Sequence, residues 1–194
     1  MRLTAGMKAP RFEATSLGGN SIGLDALRGR MVLLKFYRFA TCPVCNLHLR
    51  GFIRDYAALD AAGITTVVFF HSPQAKLAGI RTDEAPFPLI PDPQKNLFRL
   101  YGVERGWRGM ISPAVARDYM RALRAGFSPG LFTSDGGVLG NPADFLVDAD
   151  GRIVLAHYGR QYADSLTVRD VLEQLRRTTT PCVVAAAAPV PRFS

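Results

Sequence analysis

The residues Met31-Val32-Leu33-Leu34-Lys35-Phe36-Tyr37 form a nearly unbroken apolar run between Gly29 and a pair of cysteines. A run of this kind predicts a central β-strand covered on both faces. After it, Leu49, Phe52, Ile53, Tyr56 and Leu59 recur at helical spacing across residues 45–62, and Gly63 stands where a helix C-cap belongs. Ile64-Thr65-Thr66-Val67-Val68-Phe69-Phe70 is β-branched and aromatic and reads as a second buried strand, completing a right-handed βαβ unit.

The flanking pattern is more broken. Short extended pieces near Phe12 to Thr15, a Gly18-Gly19-Asn20 turn and a helical turn near Leu24 to Leu27 precede the first buried strand. Ser72-Pro73 opens a second helix, and Phe87-Pro88-Leu89-Ile90-Pro91-Asp92 is extended before a helix over residues 94–101. Residues 104–139 hold Trp107 and an amphipathic helix over residues 114–125, and read as a helical insertion within the domain. Phe145-Leu146-Val147 and Ile153-Val154-Leu155-Ala156 flank an Asp-Gly turn, a strong hairpin signal, and a last helix covers residues 167–177. The expected organisation is an α/β domain over residues 1–177 and a mobile Ala/Pro/Val tail over residues 178–194.

Composition adds limits more than content. The 194 residues, 48% apolar and 21% charged, suit one globular domain with a real core. The formal charge of +8 is spread along the chain without a basic stripe, so nucleic-acid binding is not expected. No apolar run approaches the roughly 18–20 residues of a membrane span, and the first residues lack the apolar core of a secretory signal. The expected location is therefore the cytosol, where cysteines are reduced by default and a Cys-x-x-Cys pair points to catalysis or metal binding.

Cys42-Pro43-Val44-Cys45 lies where the first buried strand hands over to the helix. A helix N-terminus offers unpaired N–H groups and the positive end of its dipole, which favour a thiolate on Cys42. Cys45, one turn further in, is placed to attack an oxidised Cys42, and Pro43 suits the first helical turn. Cys42 is the expected nucleophile and Cys45 the resolving thiol, provided that Cys42 is open to solvent and within bridging reach of Cys45. Two small buried thiols, or zinc held with His48 through Cys-x-x-Cys-x-x-His, are the alternatives. Arg38, four residues before Cys42, either favours the thiolate or is an exposed strand-end cation. His71 and His157 are assigned no chemistry, and Cys182, in the tail, is either a spectator or an intermolecular resolving thiol.

Residues 7–176 resemble the thioredoxin superfamily, and within it the alkyl hydroperoxide reductase/thiol-specific antioxidant group and its peroxiredoxin-like relatives. The resemblance is carried by residues 7–12 with Leu27-Arg28-Gly29-Arg30, by Phe36-Tyr37 leading to Cys-Pro, and by residues 87–92 through Tyr101-Gly102-Val103. It continues in residues 140–148 with Asp150-Gly151-Arg152-Ile153. It implies a thioredoxin-like three-layer sandwich, a central mixed sheet flanked by helices. It also implies that Pro142 is cis, faces the redox cysteines and lines the groove for a partner thiol, and that Thr41 belongs to the site.

Peroxidatic sites of the group resemble Pro-x-x-x-Thr-x-x-Cys with a peroxide-polarising arginine. Here Thr41 directly precedes Cys42, Arg38 replaces the early proline, and Pro142 stands where that arginine is expected. The expected function is a peroxiredoxin-like thiol–disulfide oxidoreductase with antioxidant activity, acting on a disulfide or a peroxide. It needs no cofactor or metal, draws on a thioredoxin- or glutathione-type reductant, and is compatible with a homodimer. A non-enzymatic binding module on the same fold is the competing class.

Overall fold

The computed structural model describes residues 1–77, 85–103, 113–126 and 140–178. Trp107, Cys182 and, apart from Thr178, the 178–194 tail lie outside the described residues. The elements in chain order are β1 (Glu13–Thr15), β2 (Ser21–Gly23), a 3₁₀ turn (Asp25–Leu27), β3 (Met31–Tyr37), α1 (Pro43–Asp55), α2 (Ala57–Ala61) and β4 (Ile64–Phe70). They continue with α3 (Gln74–Leu77), β5 (Leu89–Pro91), α4 (Asn96–Leu100), α5 (Pro113–Arg124), β6 (Ala143–Val147), β7 (Ile153–Tyr158) and α6 (Val168–Thr178).

Five strands make one mixed sheet in the order β5-β4-β3-β6-β7. β3, β4 and β5 run parallel, and β6 and β7 are antiparallel to their neighbours. β3 is central, as its unbroken apolar run requires, with Val32 to Tyr37 buried. Its alternate side chains feed two separate cores. Leu33 and Tyr37 join Val68, Phe70 and Leu146 beneath residues of α1, α2, α3 and α6. Val32, Leu34 and Phe36 join Val67, Phe69 and Phe145 beneath the N-terminal segment and residues around α4. A sheet covered on both faces in this way is the α/β thioredoxin-like sandwich expected from the sequence.

The long helix expected over residues 45–62 is divided. At Tyr56 the backbone N–H turns to Ile53 O at 3.2 Å, an i→i+3 bond, while the Tyr56 ring is drawn inward to lie 5.1 Å from Phe87 edge-on. α2 is capped by Ala62 and followed by Gly63, whose φ of +71° glycine adopts without strain.

Candidate active site

The carboxyl ends of the parallel strands β3 and β4 face the same way, and the loops that follow them are stitched to each other. His71 N–H donates to Arg38 O at 3.0 Å, and Ala40 N–H donates to Ser72 Oγ at 2.8 Å. This fixes the turn over residues 39–42, closed by Cys42 N–H to Phe39 O at 3.1 Å, and delivers Cys42 to the N-cap of α1. Asn46 Nδ2 braces the same turn by donating to Ala40 O at 2.7 Å and Cys42 O at 3.0 Å.

Cys42 caps the helix with its own sulfur. The Cys45 N–H donates to Cys42 Sγ at 3.4 Å, satisfying one of the orphan amides of the first turn, and Pro43 occupies the position where a missing N–H is harmless. Arg38 Nη1 approaches the same sulfur at 3.5 Å. The guanidinium is buried, 4% exposed, so the account of Arg38 as an exposed strand-end cation is corrected. What holds it inside is aromatic: its Cζ lies 3.3 Å from the Tyr162 ring centroid and 5.0 Å from that of Phe39.

These neighbours act on the two thiols in opposite senses. Burial, the largest influence, pushes the Cys42 thiol up. Against it, the Cys45 thiol hydrogen bond, the Arg38 charge and the Cys45 and Val44 amides together bring Cys42 from its ordinary 9.0 down to about 7. Cys45 is pushed well above the ordinary range by burial, by its hydrogen bond to Cys42 and by the Cys42 charge. The pair is thus divided into a sulfur that ionises near neutrality and one that holds its proton. Both are reduced.

The expectation of an open nucleophile is not met, since Cys42 is only 2% exposed. The reason lies in the contacts just described. Arg38 contacts the sulfur and carries the Tyr162 ring stacked on it, both are themselves buried, and Cys42 is packed into the apolar cluster with Val44 and Leu49. The other half of the expectation, contact between the two thiols, is met.

This arrangement makes a pH prediction. Alkylation of Cys42 by iodoacetamide should rise with pH through a midpoint of about 7, two units below an ordinary thiol, because only the thiolate reacts. Arg38→Met should move that midpoint upward by about one unit or more, since a cation in contact with the thiolate is lost. A parent midpoint near the ordinary 9.0 would show that these neighbours do not act as described.

Behind the cysteines lies a second polar group on the same face of the sheet. Lys35, in mid-β3, is fully buried with its ammonium 2.5 Å from Asp144 Oδ1 on β6, its direct cross-strand neighbour. The loop leading to α6 completes the shell. Lys35 Nζ also donates to Leu166 O at 2.8 Å and Ser165 Oγ at 3.2 Å, while Leu166 N–H donates to Asp144 Oδ2 at 2.8 Å. The Lys35 head sits 4.7 Å from the Phe52 ring centroid. Tyr37, two residues on, has its phenol pushed well up by burial and then by the Asp144 and Cys45 charges.

Thr41 is half-buried in the turn immediately before Cys42. Pro142 is buried at the entry to β6, but its peptide bond is trans, as are all peptide bonds among the described residues, which corrects the cis expectation. The trans form is the ordinary state of an X–Pro bond, and here the backbone enters β6 without needing the other. The Pro142 carbonyl accepts the Gly159 N–H at 2.8 Å and so anchors the start of the loop that carries Tyr162. His48 is not joined with Cys42 and Cys45 in any metal-type cluster among the described residues. Its pKa is lowered, first by burial.

A family model for AhpC/TSA proteins matches residues 5–156. The chain belongs to the AhpC/TSA family. A Haemophilus influenzae protein bearing the peroxiredoxin name bcp is 34% identical over 120 residues, covering 59% of this chain and 76% of its own length. One of Mycobacterium tuberculosis, also named as a peroxiredoxin, is 29% identical over 160 residues, 81% of this chain and 86% of that one. The crystal structure of the Mycobacterium tuberculosis peroxidoxin BcpB matches with a TM-score of 0.65 at 18% identity, across 94% of this chain and 100% of that one, and shows the shared fold. This AhpC/TSA member is a peroxiredoxin-like thiol oxidoreductase. Among the described residues no helix is long and apolar enough to cross a membrane.

Proposed function

We propose that the chain reduces hydroperoxides through a Cys42–Cys45 dithiol cycle. The observation that carries the reading is the Cys42 sulfur at the α1 N-cap, accepting the Cys45 N–H and contacting Arg38. The Cys42 thiolate attacks one oxygen of the peroxide, an S–O bond forms, the O–O bond breaks, and the leaving oxygen takes up a proton. Cys45 then attacks the sulfenic sulfur, an S–S bond forms, and hydroxide leaves with the Cys45 proton as water. An external dithiol of the thioredoxin or glutathione type supplies the two electrons that restore both thiols.

Arg38 answers the departure from the family pattern that the sequence shows. The arginine expected at position 142 is absent, but one reaches the sulfur from the nucleophile's own loop. Thr41 and Pro142 complete the proposed site, Thr41 by orienting the turn and Pro142 by anchoring the loop over Arg38. The enclosure of Cys42 favours small substrates and requires local opening before attack.

Treating the reduced protein with one equivalent of hydrogen peroxide tests the reading. The expected product has lost two hydrogens, and peptide mapping places the new disulfide between Cys42 and Cys45. Thiols at both positions surviving excess peroxide, while a small-molecule disulfide oxidises them, would turn the assignment to thiol–disulfide exchange.

A further inference from the structure

Two tyrosines near the site carry hydroxyls of unusual surroundings. The Tyr162 and Tyr119 hydroxyl oxygens are shielded from solvent, and neither has a hydrogen-bond partner among the described residues. Buried hydroxyls are nearly always paired, because an unmade hydrogen bond inside a protein is not compensated by water. The two phenols come from unrelated parts of the chain. Tyr162 lies in the loop between β7 and α6, is 8% exposed, and stacks on the Arg38 guanidinium, which contacts Cys42 Sγ. Tyr119 lies on α5 and packs against the core cluster that contains Cys42, Val44 and Cys45.

Both phenols hold their protons more firmly than usual. Burial raises each, and the nearby Cys42 charge raises each further, with Arg38 working the other way on Tyr162. At neutral pH they are O–H donors, one on the ring stacked against the Arg38 that contacts Cys42 Sγ and one on a ring packed against the core cluster that holds Cys42. No described residue supplies an acceptor for them, which leaves both O–H groups able to donate to a bound oxygen. A hydroperoxide carries two linked oxygens, and attack by a thiolate drives negative charge onto the one that leaves. Fixed N–H and O–H donors at that position stabilise the developing charge.

We propose that the Tyr162 and Tyr119 hydroxyls, together with the Arg38 guanidinium, form the site that grips the peroxide oxygens when Cys42 attacks. The assignment rests on the Cys42 reading above and specifies its substrate site. When the O–O bond breaks, the departing oxygen accepts hydrogen bonds from these donors, and the proton that Cys42 released ends on that oxygen, giving an alcohol, or water from hydrogen peroxide. The Tyr162 ring has a separate positioning role, since its face holds Arg38 against the sulfur.

The two roles separate by substitution. Tyr162→Phe keeps the stacked ring and removes the donor, and Tyr119→Phe removes the second donor. Stopped-flow oxidation of the reduced full chain by hydrogen peroxide should slow roughly tenfold in each single variant and further in the double. The pH profile of iodoacetamide alkylation should stay in place, because that reagent has no peroxide oxygen to bind. Tyr162→Leu, which loses the stack as well, should shift that profile upward. A double Phe variant that reacts with peroxide within twofold of the parent overturns the assignment, and so does a loss matched by an equal loss of alkylation, the mark of a merely structural role. Cys42→Ser, run alongside, separates the two levels. Peroxide consumption surviving in Cys42→Ser removes the reading of the nucleophile itself. Parent-like rates in the Phe variants with Cys42→Ser inert remove only the tyrosines. A parent inert to peroxide removes both.

Discussion

Cys42→Ser should abolish peroxide reduction, a fall of about a thousandfold or more, while leaving the fold intact. The fold survives because serine is a good N-cap and its oxygen accepts the Cys45 N–H in place of the sulfur. The chemistry does not, because a hydroxyl beside Arg38 stays protonated where the thiol ionises at about 7. Cys45→Ser separates the two halves of the cycle. Its Cys42 should still take one oxygen from peroxide, detectable by intact mass as a sulfenic acid, but no internal disulfide can follow and turnover with an external dithiol should stall or change kinetic order. Full turnover by Cys42→Ser, measured with circular dichroism to verify folding, would end the assignment of the nucleophile.

The second large effect concerns stability. Asp144→Ala should cost about 3–5 kcal/mol, because it strips the fully buried Lys35 ammonium of its counter-charge while leaving it among Phe52, Ser165 and the Leu166 carbonyl. Against a total stability of about 5–15 kcal/mol this is a large share. Pairing Lys35→Met with Asp144→Leu should recover part of the loss, since two apolar groups replace two charges. The recovery is incomplete because Leu166 N–H loses its acceptor. Denaturant midpoints of the singles and the double would measure this non-additivity. An Asp144→Ala midpoint equal to the parent's would show that the pair contributes little.

The sequence made the frame of the molecule visible and hid the surroundings of its sulfur. β3 and β4 occupy the residues their apolar runs predict, because a strand buried on both faces writes its limits into every position. Cys42 and Cys45 were legible for a related reason: a strand-to-helix junction and a three-residue offset are both local. Arg38 was half legible. Its spacing from Cys42 suggested contact, but only Tyr162, more than a hundred positions away, decides that it is buried. Tyr162 and Tyr119 sit in segments with no pattern that marks them as neighbours of the cysteine loop, so their placement there is purely tertiary. Lys35 did leave a signal, since a lysine inside an apolar strand needs a buried partner. Nothing local says that the partner is Asp144, and only the pairing of β3 with β6 brings them together.

That pairing carries a consequence for how the chain avoids wrong folds. Sliding β6 along β3 by one position would set Lys35 opposite Ala143 or Phe145 and strand two bare charges in a dry interior, while turning every side chain of the strand to the opposite layer. An all-apolar β3 would tolerate such a slip far better. The buried ion pair is therefore a key cut for one lock, and it penalises near-miss assemblies more than it strengthens the correct one.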